Sequence, residues 1–293
     1  TKQEIIYPDV EILDAAAEGM SIAKVDVDEE GQGLVVFVPF VVPGDIVDLK
    51  VFKKKKNYAE GRAVAIKKPS PKRVELQCPH FGSCGGCKWQ NMNYQDQLVY
   101  KHKQVKDNLE RLGHVDTSSM RPICGSENIY YYRNKLEYTF STKRWRTMEE
   151  MDQLSKEELA QDKGALGFHA PQLFGKVLNI EHCALQQDPS NAIRLAIRDY
   201  ALAHDLAFYD IRNHTGFLRN IMIRNSTLGQ WMLVLMIATG GEQTDKTLTP
   251  EAKDQLFPLL EMLKAEFPQI TSLQYVVNNK YNDTYADLDI ITY

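Results

Sequence analysis

Three cysteines within ten residues, Cys78, Cys84 and Cys87, constrain this chain more than any other feature. Their spacing is Cys78-x5-Cys84-x2-Cys87, with Gly85-Gly86 between the last two. Two adjacent glycines let a backbone close around a bulky ligand and turn its N–H groups toward sulfur. Thiolate is the soft ligand that both zinc and iron–sulfur centres select. A fourth ligand is needed, and Cys183 in Glu181-His182-Cys183 is the best candidate. An iron–sulfur cluster is the preferred reading, although the spacing is not a ferredoxin pattern. Zinc is the second reading, weakened because structural zinc sites pair two C-x2–4-C knuckles and only one is present. A disulfide or an incidental cluster is the third. His80 and His182 could substitute as ligands but read better as neighbours. Cys124 has no base near it in sequence and reads as a free or buried thiol rather than a nucleophile.

The 293 residues suit two domains, placed at 1–70 and 71–293. Hydrophobic residues make up 43% and charged residues 25%, as in globular proteins. No apolar run approaches the ~20 residues of a membrane span, and no signal peptide opens the chain. An odd number of cysteines, three of them clustered, favours reduced thiols and hence a cytoplasmic location. A monomer is expected. The chain begins without Met and stops on the apolar run Leu288–Tyr293, which reads as a fragment of something longer.

Residues 9–67 read as five short strands, Val10–Ala16, Ser21–Asp26, Leu34–Val38, Ile46–Lys53 and Tyr58–Lys67, separated by turn signals such as Pro43-Gly44-Asp45. Even spacing of short strands suits a small closed barrel of the OB type. Pro69-Ser70-Pro71 then reads as a linker. Leu98, Val105, Leu109 and Leu112 recur at helical period over Tyr94–Leu112. Strand regions at Tyr130–Ser141 and Ala165–Ile180 flank a charged, helix-forming insertion, Arg146–Lys163. A helix follows Asp188-Pro189-Ser190, a hairpin covers Phe217–Asn225 and Gln230–Thr239, and a second helix opens at Thr249-Pro250. Leu273–Asn278 and Leu288–Tyr293 complete the strands. Without regular alternation of strand and helix, the class is α+β.

The net charge of −4 argues against nucleic acid as a partner, but the distribution argues for it. From Lys50 to Arg73 ten Lys or Arg accompany one acid, Glu60, whereas Met148–Asp162 holds six acids and only Lys156. An acidic total can hide a basic face that steers an anionic partner.

The loop Cys78-x5-Cys84-Gly85-Gly86-Cys87-Lys88-Trp89-Gln90 resembles the iron–sulfur signature of bacterial ribosomal-RNA uracil-5-methyltransferases. Tyr132-Arg133-Asn134-Lys135, Gly167-Phe168-His169, His182-Cys183-Ala184-Leu185-Gln186, Gly216-Phe217-Leu218-Arg219-Asn220 and Asn279–Thr284 are similar to further segments of that family, in family order. The resemblance implies an N-terminal TRAM domain and a central domain with a four-iron (4Fe-4S) cluster on Cys78, Cys84, Cys87 and Cys183. It also implies an S-adenosylmethionine-dependent C-terminal domain. The chemistry implied is thiolate attack on uracil C6, methyl transfer to C5 and proton abstraction, giving 5-methyluridine in 23S ribosomal RNA. The family's glycine-rich cofactor loop and its nucleophilic cysteine in an Asp-Pro-Pro context have no counterpart here, since no cysteine follows Cys183 and Gly31-Gln32-Gly33 reads as a hairpin turn. The expectation is therefore an inactive RNA-recognition portion, its catalytic domain missing and no catalytic residue present. S-adenosylmethionine would serve the full-length enzyme only.

A target base must leave its stack, so the folded RNA around it has to be gripped. Lys53-Lys54-Lys55-Lys56 with Tyr58 and Arg62 are the first candidates, as phosphate contacts with a stacking face beside them; a solvated charged turn is the plain alternative. Arg133 and Lys135, two apart on an expected strand, would share a face. Arg219 and Arg224 have opposite parity, so at most one lies on a given surface, and surface ion pairs are the alternative for these four. The acidic insertion would lie away from RNA. A stand-alone metal-containing nucleic-acid-binding protein without catalysis is the competing function.

Overall fold

The computed structural model describes residues 5–171, 173 and 175–293; the few other residues of the expected 1–70 and Ala165–Ile180 segments lie outside these. The chain divides into two compact units, residues 1–82 with 87–129 and residues 83–86 with 130–293.

In the first unit, β1 (Ile5–Ala15), β2 (Met20–Val25), β3 (Leu34–Pro39), β4 (Ile46–Lys54) and β5 (Tyr58–Lys68) close into a barrel in the order β1-β2-β3-β5-β4. All neighbours are antiparallel except β3 and β5, which run parallel over Val35–Phe37. Alternation is clean on β2, where Ser21, Ala23 and Val25 point inward, as period-2 geometry requires. Ile12, Val36, Val38, Val47, Leu49 and Ala59 fill the interior, all fully buried. The strand boundaries fall within a few residues of those expected, except that β1 begins five residues before Val10. Gly31-Gln32-Gly33 is a turn between β2 and β3, with the Asp28 N–H donating to the Gln32 carbonyl at 2.8 Å.

The segment after the barrel is not the linker that two prolines suggested. Asp45, fully buried, accepts from the Val42 N–H at 2.7 Å, the Ser70 N–H at 2.8 Å, and Arg73 Nε and Nη2 at 2.8 and 2.7 Å. Asn91 Nδ2 reaches the Phe40 carbonyl at 3.0 Å. Lys103, on α1 (Tyr94–Arg111), pairs with Asp14 of β1 at 2.8 Å. These polar ties place most of residues 71–129 with the barrel, so the unit boundary falls near 129, not at 70. Asn93 caps α1 by accepting from the Asp96 N–H at 3.0 Å. The apolar repeat that marks this helix builds no core, for none of its residues is buried and Val105, Leu109 and the capping Leu112 are exposed.

The second unit is an eight-stranded sheet in the order β13-β12-β11-β10-β6-β8-β9-β7. Its strands are β6 (Lys135–Ser141), β7 (Arg144–Trp145), β8 (Ala165–His169), β9 (Val177–Asn179), β10 (Leu218–Asn225), β11 (Trp231–Ile237), β12 (Ile270–Val277) and β13 (Ile291–Thr292). β11 and β12 run parallel, joined through α5 (Pro250–Glu266), which packs on β12 and on α4 (Ser190–Ala203). Leu136, Tyr138 and Phe140 of β6 and Ile221 and Ile223 of β10 are buried at alternate positions. The acidic insertion forms two single-turn helices, α2 (Met148–Asp152) and α3 (Lys156–Ala160), each started by a capping box, Thr147 with Glu150 and Ser155 with Glu158. Arg146 and Asp162 form an ion pair across its base. Among the described residues no helix is long and apolar enough to cross a membrane.

Candidate nucleic-acid interface and cysteine sites

The lysine run sits on the β4–β5 hairpin. Lys53 and Lys54 end β4, pairing in register with Glu60 and Ala59, and Lys55–Asn57 make the turn. Lys53 through Lys56, Tyr58 and Arg62 are all exposed. Lys53 is committed to Glu60 at 2.6 Å, and that hydrogen bond raises its pKa above the ordinary lysine value. Tyr58 stands edge-on to Phe37, ring centroids 5.6 Å apart, which fixes the ring and leaves it partly open to solvent. The hairpin thus offers a row of ammonium groups beside an aromatic face, the combination that single-stranded nucleic acid requires. On α1, by contrast, Lys103, Lys106 and Arg111 are taken up by Asp14, Asp107 and Glu110.

In the second unit Arg133 precedes β6 instead of lying on it, and its N–H donates to the Leu185 carbonyl at 2.8 Å. Its side chain is exposed. Lys135 is exposed and pairs with Glu137 at 2.9 Å. Arg224, also exposed, lies directly across from Lys135 in the β10–β6 ladder. Like charges in opposed positions are destabilising, and Glu137 offsets the charge of Lys135.

Arg219 must be withdrawn from the RNA contacts. Its side chain is fully buried. Nη1 donates to the carbonyls of Asn278 and Lys280, both at 2.6 Å, and Nη2 to the Asn282 carbonyl at 3.0 Å and Asp283 at 2.8 Å. The guanidinium lies 4.2 Å over the Tyr209 ring. The opposite parity of Arg219 and Arg224 holds, with Arg224 the one that reaches solvent.

Around the cysteines, polar groups meet the sulfurs of Cys84 and Cys87 and the main chain of Cys78 and Cys183. Gln90, nearly buried, accepts from the Cys78 N–H at 2.9 Å and turns its Nε2 toward Cys87 Sγ at 3.9 Å. The Gly86 N–H points at Cys84 Sγ, 3.4 Å away, which is the use expected of the glycine pair. Cys183 is buried, and Asn191 clamps its main chain, Oδ1 accepting from the Cys183 N–H at 2.8 Å and Nδ2 donating to its carbonyl at 3.1 Å. Tyr138 lies nearby; burial, with the charge of Cys183 second, pushes its phenol up to about 12. Cys124 is exposed, and no disulfide joins any of the five cysteines. His182 Nε2 lies 3.3 Å from the Tyr131 hydroxyl. Among the described residues no group of three or more His, Cys, Asp or Glu is gathered as a metal site. The donor chemistry is an N–H aimed at each of the Cys84 and Cys87 sulfurs and, within the second unit, a buried cation that shares the Asn191 side chain with Cys183.

That cation, Arg194, was missed in the sequence, as were Asn191 and Gln90. Arg194 and Asn191 sit in α4 and read there as an ordinary polar face. Gln90, within Cys87-Lys88-Trp89-Gln90, could have been found from its place in the quoted signature.

Residues 7–64 match the TRAM domain family, nearly the whole closed barrel. An RNA methyltransferase of Bacteroides thetaiotaomicron, described as uncharacterized, is 48% identical over 276 residues, covering 94% of this chain and 57% of its own length. One from Porphyromonas gingivalis is 43% identical, covering 97% of this chain and 58% of its own length. The chain thus spans a little over half the length of these relatives. The matches lend no support to the expectation of a missing catalytic domain. The crystal structure of Pyrococcus abyssi tRNA (uracil-54, C5)-methyltransferase in complex with S-adenosyl-L-homocysteine superimposes with a TM-score of 0.57 at 18% identity, covering 96% of this chain and 54% of that one. At that identity the likeness is one of fold.

Proposed function

We propose that these residues form the RNA-recognition part of an S-adenosylmethionine-dependent RNA (uracil-5-)-methyltransferase that makes 5-methyluridine in 23S ribosomal RNA. One iron–sulfur cluster would be held by Cys78, Cys84, Cys87 and Cys183. The observation that carries the reading is the exposed hairpin of the TRAM-like barrel, where Lys54, Lys55, Lys56, Tyr58 and Arg62 stand in solvent. The relatives' description as RNA methyltransferases supports the reaction class. S-adenosylmethionine supplies the methyl group when bound; the residues assigned here bind and orient RNA. Arg133, Lys135 and Arg224 would contact the same polymer on the second unit. The cluster's role is structural, because methyl transfer to a uracil carbon is polar chemistry that needs no electron.

RNA affinity measured against salt tests this. Each phosphate contact to a single strand contributes about 0.7 to the slope of log K against log salt, so replacing Lys54, Lys55 and Lys56 together by Ala should flatten it by about 2. An unchanged slope would sink the interface. Ribosomal and transfer RNA fragments carrying the target uridine, compared at one salt concentration, decide the substrate; preference for transfer RNA would overturn that part.

A further inference from the structure

Arg194 is a fully buried guanidinium in the second turn of α4. Its Nη1 donates to the Ile180 carbonyl, and its Nη2 to the Glu181 carbonyl at 3.2 Å and Asn191 Oδ1 at 2.9 Å. Its Nε is buried with no partner. Every acceptor is neutral, and among the described residues Arg194 makes no ion pair with a carboxylate. The carboxylate of Glu181, whose main chain it touches, bonds Arg198 at 2.7 Å and Asn179 at 2.6 Å. Arg198 is a second cation one turn along the same helix. A buried charge without a counter-charge is strongly unfavourable, and Arg219 in the same unit has the acid partner, Asp283, that Arg194 lacks.

The negative charge is to be sought beside Asn191. The same Oδ1 that receives Arg194 Nη2 receives the Cys183 N–H at 2.8 Å. One amide oxygen therefore fixes the guanidinium and the Cys183 main chain together. Four thiolates outweigh the charge of a zinc ion or of an iron–sulfur core, so a centre bound by four cysteines is net negative.

We infer that Arg194 is the counter-charge and positioning residue for a thiolate-bound metal centre that takes Cys183 as a ligand, with Asn191 holding the two in register. This rests on the proposed role of Cys183. The cost of burying Arg194 is then met when the metal is bound, and folding of this unit and metal loading favour one another. Arginine suits the task because its planar fork holds carbonyls while its charge stays fixed.

The test is the rate of metal loss to a chelator from anaerobically purified whole protein, with metal content and melting temperature measured alongside. Outer-shell partners of metal ligands are worth 10–100-fold in affinity, so Arg194→Gln should lose metal about tenfold faster, with Arg194→Lys near the parent rate. Asn191→Asp keeps the shape and the arginine but puts a carboxylate in the counter-charge position; it too should lose metal faster. Metal-free Arg194→Gln should melt no lower than the metal-free parent, the reverse of the loaded pair. Cys183→Ser separates the two ideas. If it loses the metal while Arg194→Gln and Asn191→Asp hold theirs at the parent rate, the inference is wrong and the ligand assignment stands. If Cys183→Ser keeps a full complement, or the parent binds none, both fall. Should Arg194→Gln not fold, Arg194→Lys and Asn191→Asp carry the decision.

Discussion

Replacing Arg73 by Ala should destabilise the first unit by about 3 kcal/mol. Asp45 is fully buried and its two oxygens receive four N–H groups, two from Arg73 in a bidentate fork and two from the main chain at Val42 and Ser70. Removing one partner of a buried ion pair costs about 3–5 kcal/mol, because the other charge is left without compensation. Two features set the lower end: Arg73 is 21% exposed, and the two main-chain donors remain. At about 4 °C per kcal/mol for a unit of this size, the melting temperature should fall by roughly 12 °C. Urea unfolding of the parent, Arg73→Ala, Asp45→Ala and the double variant gives the coupling energy directly, and that should exceed about 2 kcal/mol. A coupling below about 0.5 kcal/mol, with Arg73→Ala losing less than about 1 kcal/mol, would mean that residues beyond 70 are a tether after all.

Other substitutions address the second unit and α1. Arg219→Met strands three carbonyls and Asp283 and should cost about 3–5 kcal/mol, while leaving the salt dependence of RNA binding by the hairpin unchanged where the protein stays folded. Gly216→Ala should be strongly destabilising in thermal melts: φ is +114° and a Cβ would stand 2.4 Å from the Phe208 carbonyl oxygen. Lys103 beside Asp107 holds its carboxyl below the ordinary value of 3.8, so that group's contribution is full above the ordinary value and fades as pH falls through the lower, folded one. Asp107→Asn should therefore narrow the acid-side loss of stability of the parent, and an unchanged acid limb would refute the pairing.

Much of the barrel was legible because small β folds write themselves in turns and alternation. Val36 and Val38, Val47 and Leu49 lie two apart and between recognisable turns, and their burial followed. The end of the unit was not legible, because Pro69 and Pro71 look the same whether the chain between them is a tether or, as here, is hydrogen-bonded to a buried aspartate. α1 shows the converse: its apolar period was real and located the helix to within a residue, but period alone does not say that a face is buried. Arg219 lies within Gly216-Phe217-Leu218-Arg219-Asn220 and reads there as an RNA contact, yet a strand arginine carries no local mark of whether its charge meets phosphate or main-chain carbonyls sixty residues later. Cys183 was legible as a metal ligand candidate, whereas Arg194, eleven residues on, became meaningful only once its acceptors were known to be neutral.

Arg219 grips the 278–283 segment by three main-chain oxygens and a single carboxylate. The course of that loop is consequently dictated from underneath, mostly through main-chain atoms that every amino acid possesses, with the Asp283 carboxylate and the Asn278 side chain as the exceptions. Outward positions such as Tyr281, 56% exposed and stacked on His214 at 3.9 Å, can be exchanged without redirecting the chain. Evolution, or an engineer, could thus vary what this loop displays while its path stays constant.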